Sequence, residues 1–390
     1  MKKVVWLASW YPTEEHPLPG DFIERHAKAV SIYLPVHVIH VARIHDKNSR
    51  SGVYIKEYER YPLLKSEICP YRLPRFLGID LLISYCWSLV LYARLVKAFI
   101  RTNGKPSLLH VHVTLRCGLV ALYFKWFYRI PFVVSEHNGA LLEAAKQFDG
   151  RIGFTTLQLM KLVIKNAAAI TTVSAVLRNG IAKRFAVKRS FVIPNVVDTS
   201  IFNFRPGSAA NNAGDFLHVS TLSAIKNVDL ILRAFALVKQ EHGLSFCFRI
   251  VGPRNDSLKR LAEELGIADS VLWLAETDQD GIAAEMRTAG AVILYSSYES
   301  FGCINIEANA TGRPVIVSDI PAFREYLKAA VNAVFVPLGD VVALSNVLAG
   351  FIEGRYHFDP GVISDAATDF SFAAVGKMFA GLYDSIEAKI

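Results

Sequence analysis

Two glutamates, Glu299 and Glu307, stand on either side of a glycine turn in the segment best suited to chemistry. Residues 295–316 have the pattern of a strand end, a tight turn at Gly302, a helix beginning near Cys303, and a further strand after Gly312. The N-terminus of a helix carries unpaired backbone N–H groups and about half a positive charge. This arrangement predicts a diphosphate site at the first helical amides.

The two carboxylates fit the groups attached to such a diphosphate. Glu299 precedes the turn and is expected on the sugar side of the bound molecule. Glu307 lies about one turn into the helix, where a carboxylate can accept hydrogen bonds from both hydroxyls of a ribose diol. Gly302 lets the backbone come close, and Cys303 and Ile304 supply the amides.

Short Val- and Ile-rich runs alternate with longer segments of helical period, which indicates parallel sheets wrapped by helices. The first half of the chain predicts strands at 3–8, 36–41, 108–113, 132–135, 170–173 and 191–193. The second half predicts strands at 216–220, 245–251, 271–274, 291–295, 314–317 and 333–336. Two doubly wound α/β domains with an interdomain cleft follow, with ligands expected at the carboxyl ends of the strands.

The small polar segment Pro206–Gly214 has no periodicity and marks the domain boundary. We therefore predict an N-terminal Rossmann-like domain over 1–205, a linker over 206–214 and a C-terminal domain over 215–369. The remaining residues, 370–390, have a helical pattern and are expected to return to the first domain.

The motif from Glu299 through Ser300-Phe301-Gly302 to Glu307, with Gly312-Arg313-Pro314 following, resembles the Glu-x7-Glu signature of family 4 glycosyltransferases of the GT-B fold. The resemblance implies a retaining, metal-independent transfer of a hexosyl or related group from a nucleoside-diphosphate sugar, UDP- or GDP-linked, with no cofactor. It also implies a saccharide or lipid-linked acceptor, as in bacterial surface-polysaccharide assembly. The resemblance implies that Glu299, His137 and Lys226 are catalytic, and that the substrate-binding residues are Gly20, Thr221, Phe301, Gly302, Cys303, Ile304 and Glu307.

Two segments of the first half match the same family. The stretch Trp10–Phe22 resembles the loop after the first strand, where a glycine backbone approaches the donor phosphate; relatives often carry two glycines there, and this chain has only Gly20. His137 follows the strand 132–135 and matches a histidine that in relatives contacts the donor sugar near the acceptor.

The cations expected to hold the diphosphate show one departure from the family. Lys226 occupies the usual lysine position, but Thr221 stands where relatives carry an arginine. The diphosphate site therefore has one positive charge fewer than in relatives. Arg254 and Arg313 are candidates to replace it.

Other polar residues receive structural interpretations. Asp278 and Asp280 form an Asp-x-Asp just before a helix and are expected to cap it. His110 and His112 alternate on one strand without an evident third ligand, so we expect burial or loop contact and no metal site.

The composition fits a cytoplasmic protein whose basic half can meet nucleic acid, an anionic membrane surface or a phosphorylated substrate. Residues 1–197 hold 28 Lys and Arg against 12 Asp and Glu, whereas residues 198–390 hold 15 against 23. Zinc-finger spacings and ribonucleoprotein motifs are absent from the sequence, so we expect no nucleic-acid partner. The five cysteines form no CxxC pair and are expected to be reduced core thiols.

The hydrophobic segments predict neither a signal peptide nor a membrane span. The apolar run after Met1 covers only Val4–Ala8, too short for a signal peptide, and the run Leu81–Ala93 is shorter than a membrane span. We therefore expect a peripheral contact between the basic half and the inner face of the cytoplasmic membrane.

Two other functions remain open at this point. A nucleotide-sugar epimerase of the same fold would act on the donor alone. A non-catalytic membrane or nucleic-acid adaptor would use only the basic half.

Overall fold

The computed structural model describes residues 3–16, 19–44, 52–73, 80–142, 152–207 and 213–388. These residues form two compact units, one of Met1–Val196 with Phe372–Ile390 and the other of Val197–Ser371.

The first unit contains an eight-stranded sheet in the order β3-β4-β2-β1-β5-β6-β7-β8, in which only the β3–β4 pair is antiparallel. Its strands are β1 Val4–Ala8, β2 Val36–Arg43, β3 Tyr54–Glu57, β4 Leu64–Tyr71, β5 Leu108–His112, β6 Phe132–Glu136, β7 Ala169–Thr172 and β8 Ser190–Val192. Its helices are α1 Asp21–Ser31, α2 Asp80–Asn103, α3 Cys117–Tyr128, α4 Phe154–Asn166 and α5 Ala175–Arg184.

The second unit contains a six-stranded parallel sheet in the order β11-β10-β9-β12-β13-β14. Its strands are β9 Asp215–Val219, β10 Cys247–Val251, β11 Val271–Leu274, β12 Ala291–Leu294, β13 Val315–Ser318 and β14 Ala333–Val336. Its helices are α6 Val228–His242, α7 Asp256–Glu264, α8 Gln279–Thr288, α9 Cys303–Ala310, α10 Pro321–Arg324, α11 Val341–Ile352 and α12 Pro360–Asp365. The direction of strand order reverses between β9 and β12, and such switch points bind ligands in open α/β sheets.

The last helix, α13 (Phe372–Glu387), belongs to the first unit, as predicted. It packs closely on α1, because a Cβ atom on Gly376 would lie 2.2 Å from the Ala29 carbonyl oxygen. Phe379 and Tyr383 of α13 join Trp6 of β1 in the hydrophobic core of this unit.

The boundary between the units lies before the predicted linker. Residues after Val197 belong to the second unit because the Arg287 guanidinium of α8 donates hydrogen bonds to the Ile201 and Asn203 carbonyl oxygens. The chain passes between the units near Val197 and again near Ser371. These two segments are hydrogen-bonded to each other, because the Val197 amide donates to the Phe370 carbonyl oxygen at 2.9 Å. Residues 208–212 of the predicted linker lie outside the described residues.

Two expectations are corrected. The apolar run Leu81–Ala93 is the first part of a longer helix, α2, since Arg94, Lys97 and Arg101 continue it to Asn103. Cys86 on this helix is exposed, whereas Cys69 and Cys117 are buried and Cys247 and Cys303 are partly buried.

Candidate active site

The loops after β9 and β12 meet at the switch point of the second sheet. Asn227 donates hydrogen bonds of 2.9 Å to the Tyr295 carbonyl oxygen and to the Ser297 hydroxyl, and the Ser297 amide donates to the Ile225 carbonyl oxygen at 2.8 Å. Asn227 has a φ of 49°, a left-handed conformation that asparagine tolerates. These bonds fix the position of Lys226, the residue just before Asn227.

Lys226 and Glu299 form an ion pair across these two loops. The Lys226 ammonium donates to Glu299 Oε1, and the Ser296 hydroxyl donates to the same oxygen at 2.9 Å. The side chains of Lys226 and Glu299 are only 17% and 13% exposed. Two residues predicted to be catalytic from separate motifs are therefore in direct contact.

Gly302 makes the turn into α9, with φ 90°. A Cβ atom here would lie 2.7 Å from Phe323 Cε1, so space and backbone conformation both require glycine. Gly302 offers α9 no side-chain cap, and Gly302, Cys303 and Ile304 are partly exposed while the helix is buried from Asn305 onward. The start of α9 is therefore its accessible end.

Phe301 and Glu307 are both buried, at 3% and 4% exposure. The Phe301 ring stacks on Tyr326 with centroids 4.7 Å apart, so its side chain packs under the turn. Glu307 lies on the buried part of α9.

Tyr326 holds the turn from below, and sequence patterns did not single it out. Its hydroxyl donates to the Phe301 carbonyl oxygen at 2.7 Å, lies 3.2 Å from the Gly302 carbonyl oxygen, and accepts from Asn305 Nδ2 at 3.1 Å. Burial raises the pKa of the Tyr326 phenol well above its usual range, so the hydroxyl keeps its proton.

The two candidates to replace the arginine, Arg254 and Arg313, lie at opposite edges of the second sheet. Thr221 is exposed in the loop after β9, and Arg254 is exposed in the loop after β10, where its guanidinium pairs with Asp256 at 2.8 Å. Arg313 precedes β13, at the amino edge of the parallel sheet, and donates to the Arg287 carbonyl oxygen. Arg313 is therefore wrong as a candidate, because Glu299 and Lys226 lie at the opposite, carboxyl edge.

A cavity of about 340 Å³ lies at the carboxyl ends of β10 and β11. Its lining includes Gly252, Arg254, Lys259, Trp273 and Glu276. The Lys259 ammonium stands 5.9 Å from the centre of the Trp273 ring. Apolar walls with a few polar groups are typical of small-molecule sites.

In the first unit, His137 follows β6 and is buried beside Phe22 and His26 of α1. Its ring lies 4.8 Å from that of Phe22 and is stacked on His112, with 3.3 Å between His112 Nδ1 and His137 Nε2. Burial holds the pKa of His137 well below its usual range, and His26 and His110 lower it further. His137 Nδ1 has no hydrogen-bond partner among the described residues.

Glu136 fixes the loop that carries His137, and sequence patterns missed this residue as well. Its buried carboxylate accepts from the amides of Thr114 (3.0 Å), His137 (3.0 Å) and Asn138 (2.9 Å). The loops after β5 and β6 are thereby joined.

Gly20 has φ 82°, and a Cβ atom on it would lie 2.5 Å from the carbonyl carbon of Trp10. The backbone of the loop after β1 therefore requires glycine at this position through its own close packing, whatever it binds.

His110 and His112 are buried, as predicted. His110 Nδ1 lies 2.6 Å from the Tyr383 hydroxyl of α13, and its Nε2 lies 2.7 Å from Ser135 Oγ. Asp278 caps α8, as predicted, by accepting from the Gly281 amide at 2.9 Å. Within the described residues, no group of three or more His, Cys, Asp or Glu side chains could hold a metal ion.

Two family models match consecutive parts of the chain. The model for Glycosyltransferase Family 4 matches residues 35–201, and that for Glycosyl transferases group 1 matches residues 201–359. The chain is a group 1, family 4 glycosyltransferase. The first model covers β2–β8 but not β1 of the first sheet, and the second covers all six strands of the second sheet, with Lys226 and the Glu299–Glu307 motif.

Named relatives match this glycosyltransferase over part of their length. An uncharacterized glycosyltransferase of Methanocaldococcus jannaschii is 30% identical over 31% of this chain and 31% of that protein. The O-antigen chain mannosyltransferase of Salmonella typhimurium is 32% identical over 43% of this chain and 47% of that protein. The aligned part of this chain thus spans less than half the length of each of these two relatives.

Solved structures share the fold over the full length. Sucrose-phosphate synthase from Thermosynechococcus elongatus superposes with a TM-score of 0.77 at 18% identity, covering 100% of both chains. HepE of Anabaena, solved in complex with UDP and glucose, gives a TM-score of 0.71 at 16% identity, covering 99% of this chain and 100% of that one. The glycosyltransferase therefore has the GT-B fold, as predicted.

Proposed function

We propose that this glycosyltransferase moves a hexosyl or related group from a UDP- or GDP-linked sugar to a saccharide or lipid-linked acceptor, retaining the anomeric configuration and using no metal ion or cofactor. The observation that carries the proposal is the Lys226–Glu299 contact at the switch point, beside the accessible start of α9.

The diphosphate is placed at α9 because that helix end and Lys226 supply positive charge from two directions. The amides of Cys303 and Ile304 face the phosphate oxygens, and the Lys226 ammonium offsets the charge that a metal ion would otherwise neutralise. Glu299 then exchanges its bond to Lys226 for the sugar hydroxyls, and Glu307 accepts from the ribose.

The nucleoside is assigned to the cavity at the carboxyl ends of β10 and β11, next to the same switch point. Its volume of about 340 Å³ suits a base and ribose. Arg254, which lines this cavity, takes the place of the arginine that relatives carry at the position of Thr221. The Anabaena relative solved with UDP supports a uridine nucleotide as the first donor to try.

In the proposed reaction the acceptor hydroxyl oxygen bonds to the anomeric carbon on the face from which the diphosphate leaves. The bond from that carbon to the phosphate oxygen breaks, and the hydroxyl proton passes to the departing phosphate. Lys226 and the α9 amides stabilise the leaving group, and a group of this kind is worth about 10²–10³ in rate. For the first unit, the family resemblance implies roles in substrate binding and catalysis for the Gly20 loop and neutral His137.

Two observations support the proposed acceptor: the basic first half of the chain, and the similarity to the O-antigen chain mannosyltransferase of Salmonella typhimurium. A glycan attached to a membrane lipid would concentrate at an anionic surface, which favours a protein with an excess of Lys and Arg in that half. We therefore propose a role in polysaccharide biosynthesis at the inner face of the cytoplasmic membrane.

A screen of UDP- and GDP-sugars in the presence of EDTA tests the proposal through hydrolysis or transfer to added acceptors. One donor should be consumed, and Glu299→Gln and Lys226→Met should reduce its consumption by about 10²–10³ while the exposed controls Glu353→Gln and Lys239→Met leave it unchanged. Conversion of the nucleotide-sugar into an isomer without acceptor would instead identify an epimerase. Binding of vesicles or nucleic acid without any nucleotide site would identify an adaptor.

A further inference from the structure

Large apolar side chains are exposed along three neighbouring helices of the first unit. On α2, Leu81 is 84% and Leu82 65% exposed; on α3, Phe127 is 72% exposed; and on α4, Phe154 is 75% exposed. We call the surface of these helices the apolar face and define it by Leu81, Leu82, Trp87, Trp126, Phe127 and Phe154. Large apolar side chains exposed on neighbouring helices favour a contact site.

The three helices form a continuous layer, with α3 between the other two. Lys97 of α2 lies 5.1 Å from the centre of the Tyr123 ring of α3. On the other side, Lys125 of α3 donates to the Asn166 carbonyl oxygen of α4 at 2.6 Å. A Cβ atom on Gly118 of α3 would lie 2.6 Å from Val163 of α4, so these two helices touch closely.

The three helices carry six Lys and Arg and one acid, Asp80 at the start of α2, so the charge around the apolar face is mostly positive. The sequence from 81 to 135 contains seven Lys and Arg and no Asp or Glu, and the sequence from 152 to 197 likewise contains seven against none. On α4, Lys161 and Lys165 are exposed on the same side as Leu159 and Leu162. A protein partner with matching charge would need a large acidic surface, whereas an anionic bilayer offers both charge and hydrocarbon.

Helix α2 cannot leave the domain to cross the bilayer, although Leu81–Asn103 is long and apolar enough by length and composition. Tyr92 in its middle is completely buried, and its hydroxyl donates to the Ala8 carbonyl oxygen at 2.6 Å and accepts from the Val41 amide at 3.1 Å. Spanning would break these bonds to β1 and β2. The helix is therefore held in the domain, and only its exposed side is available to contact a membrane.

We propose that the apolar face is a membrane-docking surface for an anionic bilayer. Its aromatic and aliphatic side chains insert into the bilayer interface, and the flanking lysines and arginines contact the lipid phosphates. The inference rests on the proposed function only in its choice of acceptor, since a lipid-linked acceptor would lie in the same bilayer.

Co-sedimentation with vesicles of phosphatidylglycerol and phosphatidylcholine tests the surface directly. Wild-type protein should bind at low salt and lose part of its affinity at high salt, because ionic screening removes only the charge contribution. The double variant Trp126→Ser/Phe127→Ser should bind about tenfold more weakly or worse, since two inserted side chains are lost. Leu272→Ser/Val342→Ser, which replaces exposed apolar residues of the second unit, should bind like the wild type.

Tryptophan quenching by brominated lipids reports insertion in the intact protein. Trp87 and Trp126 are on the apolar face, whereas Trp6, Trp10 and Trp273 lie elsewhere. Quenching should fall strongly in Trp87→Phe/Trp126→Phe and persist in Trp10→Phe. Unchanged quenching in Trp87→Phe/Trp126→Phe, or equal vesicle binding by Trp126→Ser/Phe127→Ser, would overturn the proposal.

Two further readouts separate the outcomes. Hydrolysis of a water-soluble nucleotide-sugar should be the same in Trp126→Ser/Phe127→Ser and wild type. If the protein does not bind vesicles, this assay still tests the proposed catalysis. If the protein does not hydrolyse a nucleotide-sugar, vesicle binding still tests the proposed docking surface. A dimer in light scattering that dissociates in Trp126→Ser/Phe127→Ser, without vesicle binding by the wild type, would assign the face to a second copy and contradict a membrane role.

Discussion

The Lys226 ammonium donates a hydrogen bond to the Glu299 carboxylate, so the loops after β9 and β12 are joined by a largely buried ion pair. Breaking such a pair leaves one charge without its partner in a poorly solvated place. The pair therefore affects stability as well as catalysis, and the two contributions must be separated.

Lys226→Met and Glu299→Gln should each lower the free energy of unfolding by about 1–3 kcal/mol and reduce transfer by about 10²–10³. The double variant should recover part of the stability, because neither charge is left alone, but no activity. Urea unfolding and donor consumption are measured on the wild type, the two single variants and the double variant. They give one double-mutant cycle for stability and one for activity. Recovery of activity in the double variant would show that the pair is only structural.

Gly302→Ala should weaken the diphosphate site and the fold together. The new Cβ would press on Phe323 at a φ of 90°, so we expect a loss of about 1–3 kcal/mol beyond that of Gly339→Ala. Gly339 also has a positive φ, of 83°, but nothing lies within 4 Å of its added Cβ. Equal stability and equal donor binding in the two variants would show that Gly302 has no special steric role.

Tyr326→Phe removes the hydroxyl that holds the Phe301 and Gly302 carbonyl groups and keeps the ring that stacks on Phe301. As a positioning residue, Tyr326 should affect kcat more than KM, with a loss of about tenfold in kcat and about 1–2 kcal/mol in stability. Tyr356→Phe, whose ring stacks on Phe351 in the same unit, is the matched control. A loss of stability with unchanged kcat would make the Tyr326 hydroxyl purely structural.

The buried histidines of the first unit make its stability depend on pH. Burial lowers the pKa of His26 from 6.5 to about 4, and burial also holds the pKa values of His110, His112 and His137 well below the usual range. Below pH about 6.5 the unfolded chain therefore binds more protons than the folded one, and stability falls as the pH falls towards 4.

Each such histidine contributes a slope of about 1.4 kcal/mol per pH unit in this window. Urea unfolding between pH 7.5 and 5 should show the combined slope, and His26→Gln should reduce it by about one histidine's share. His357→Gln, at an exposed position of the second unit, serves as the control. A wild-type stability that does not change over this range would refute the assignment.

Most of the sheet could be predicted because its strands are buried runs of Val, Ile and Leu. The exceptions are β3 and β4, an antiparallel pair at the edge of the first sheet. The segment Leu64–Tyr71 contains Lys65, Glu67 and Pro70, and Tyr54–Glu57 is partly exposed, so neither has the apolar signature of an inner strand.

The site could be predicted where its chemistry lies in one loop and not where it depends on distant packing. Glu299, Gly302 and Lys226 stand in recognisable strand–loop–helix segments. Tyr326, and Glu136 through the Thr114 amide, act through bonds to backbone groups that only the fold brings near, although Glu136 directly precedes the predicted His137. Arg313 was misplaced because a position next to the motif in sequence lies at the other edge of the sheet.

The most direct test of the donor site is calorimetric titration of the wild-type protein with UDP and GDP in the presence of EDTA. We predict one site for one of these nucleotides with a Kd of about 1 mM or lower, weakened at least tenfold in Lys226→Met and unchanged in Lys239→Met. Absence of binding by either nucleotide, or equal affinity in Lys226→Met and wild type, would contradict a nucleotide-sugar site at Lys226 and Glu299.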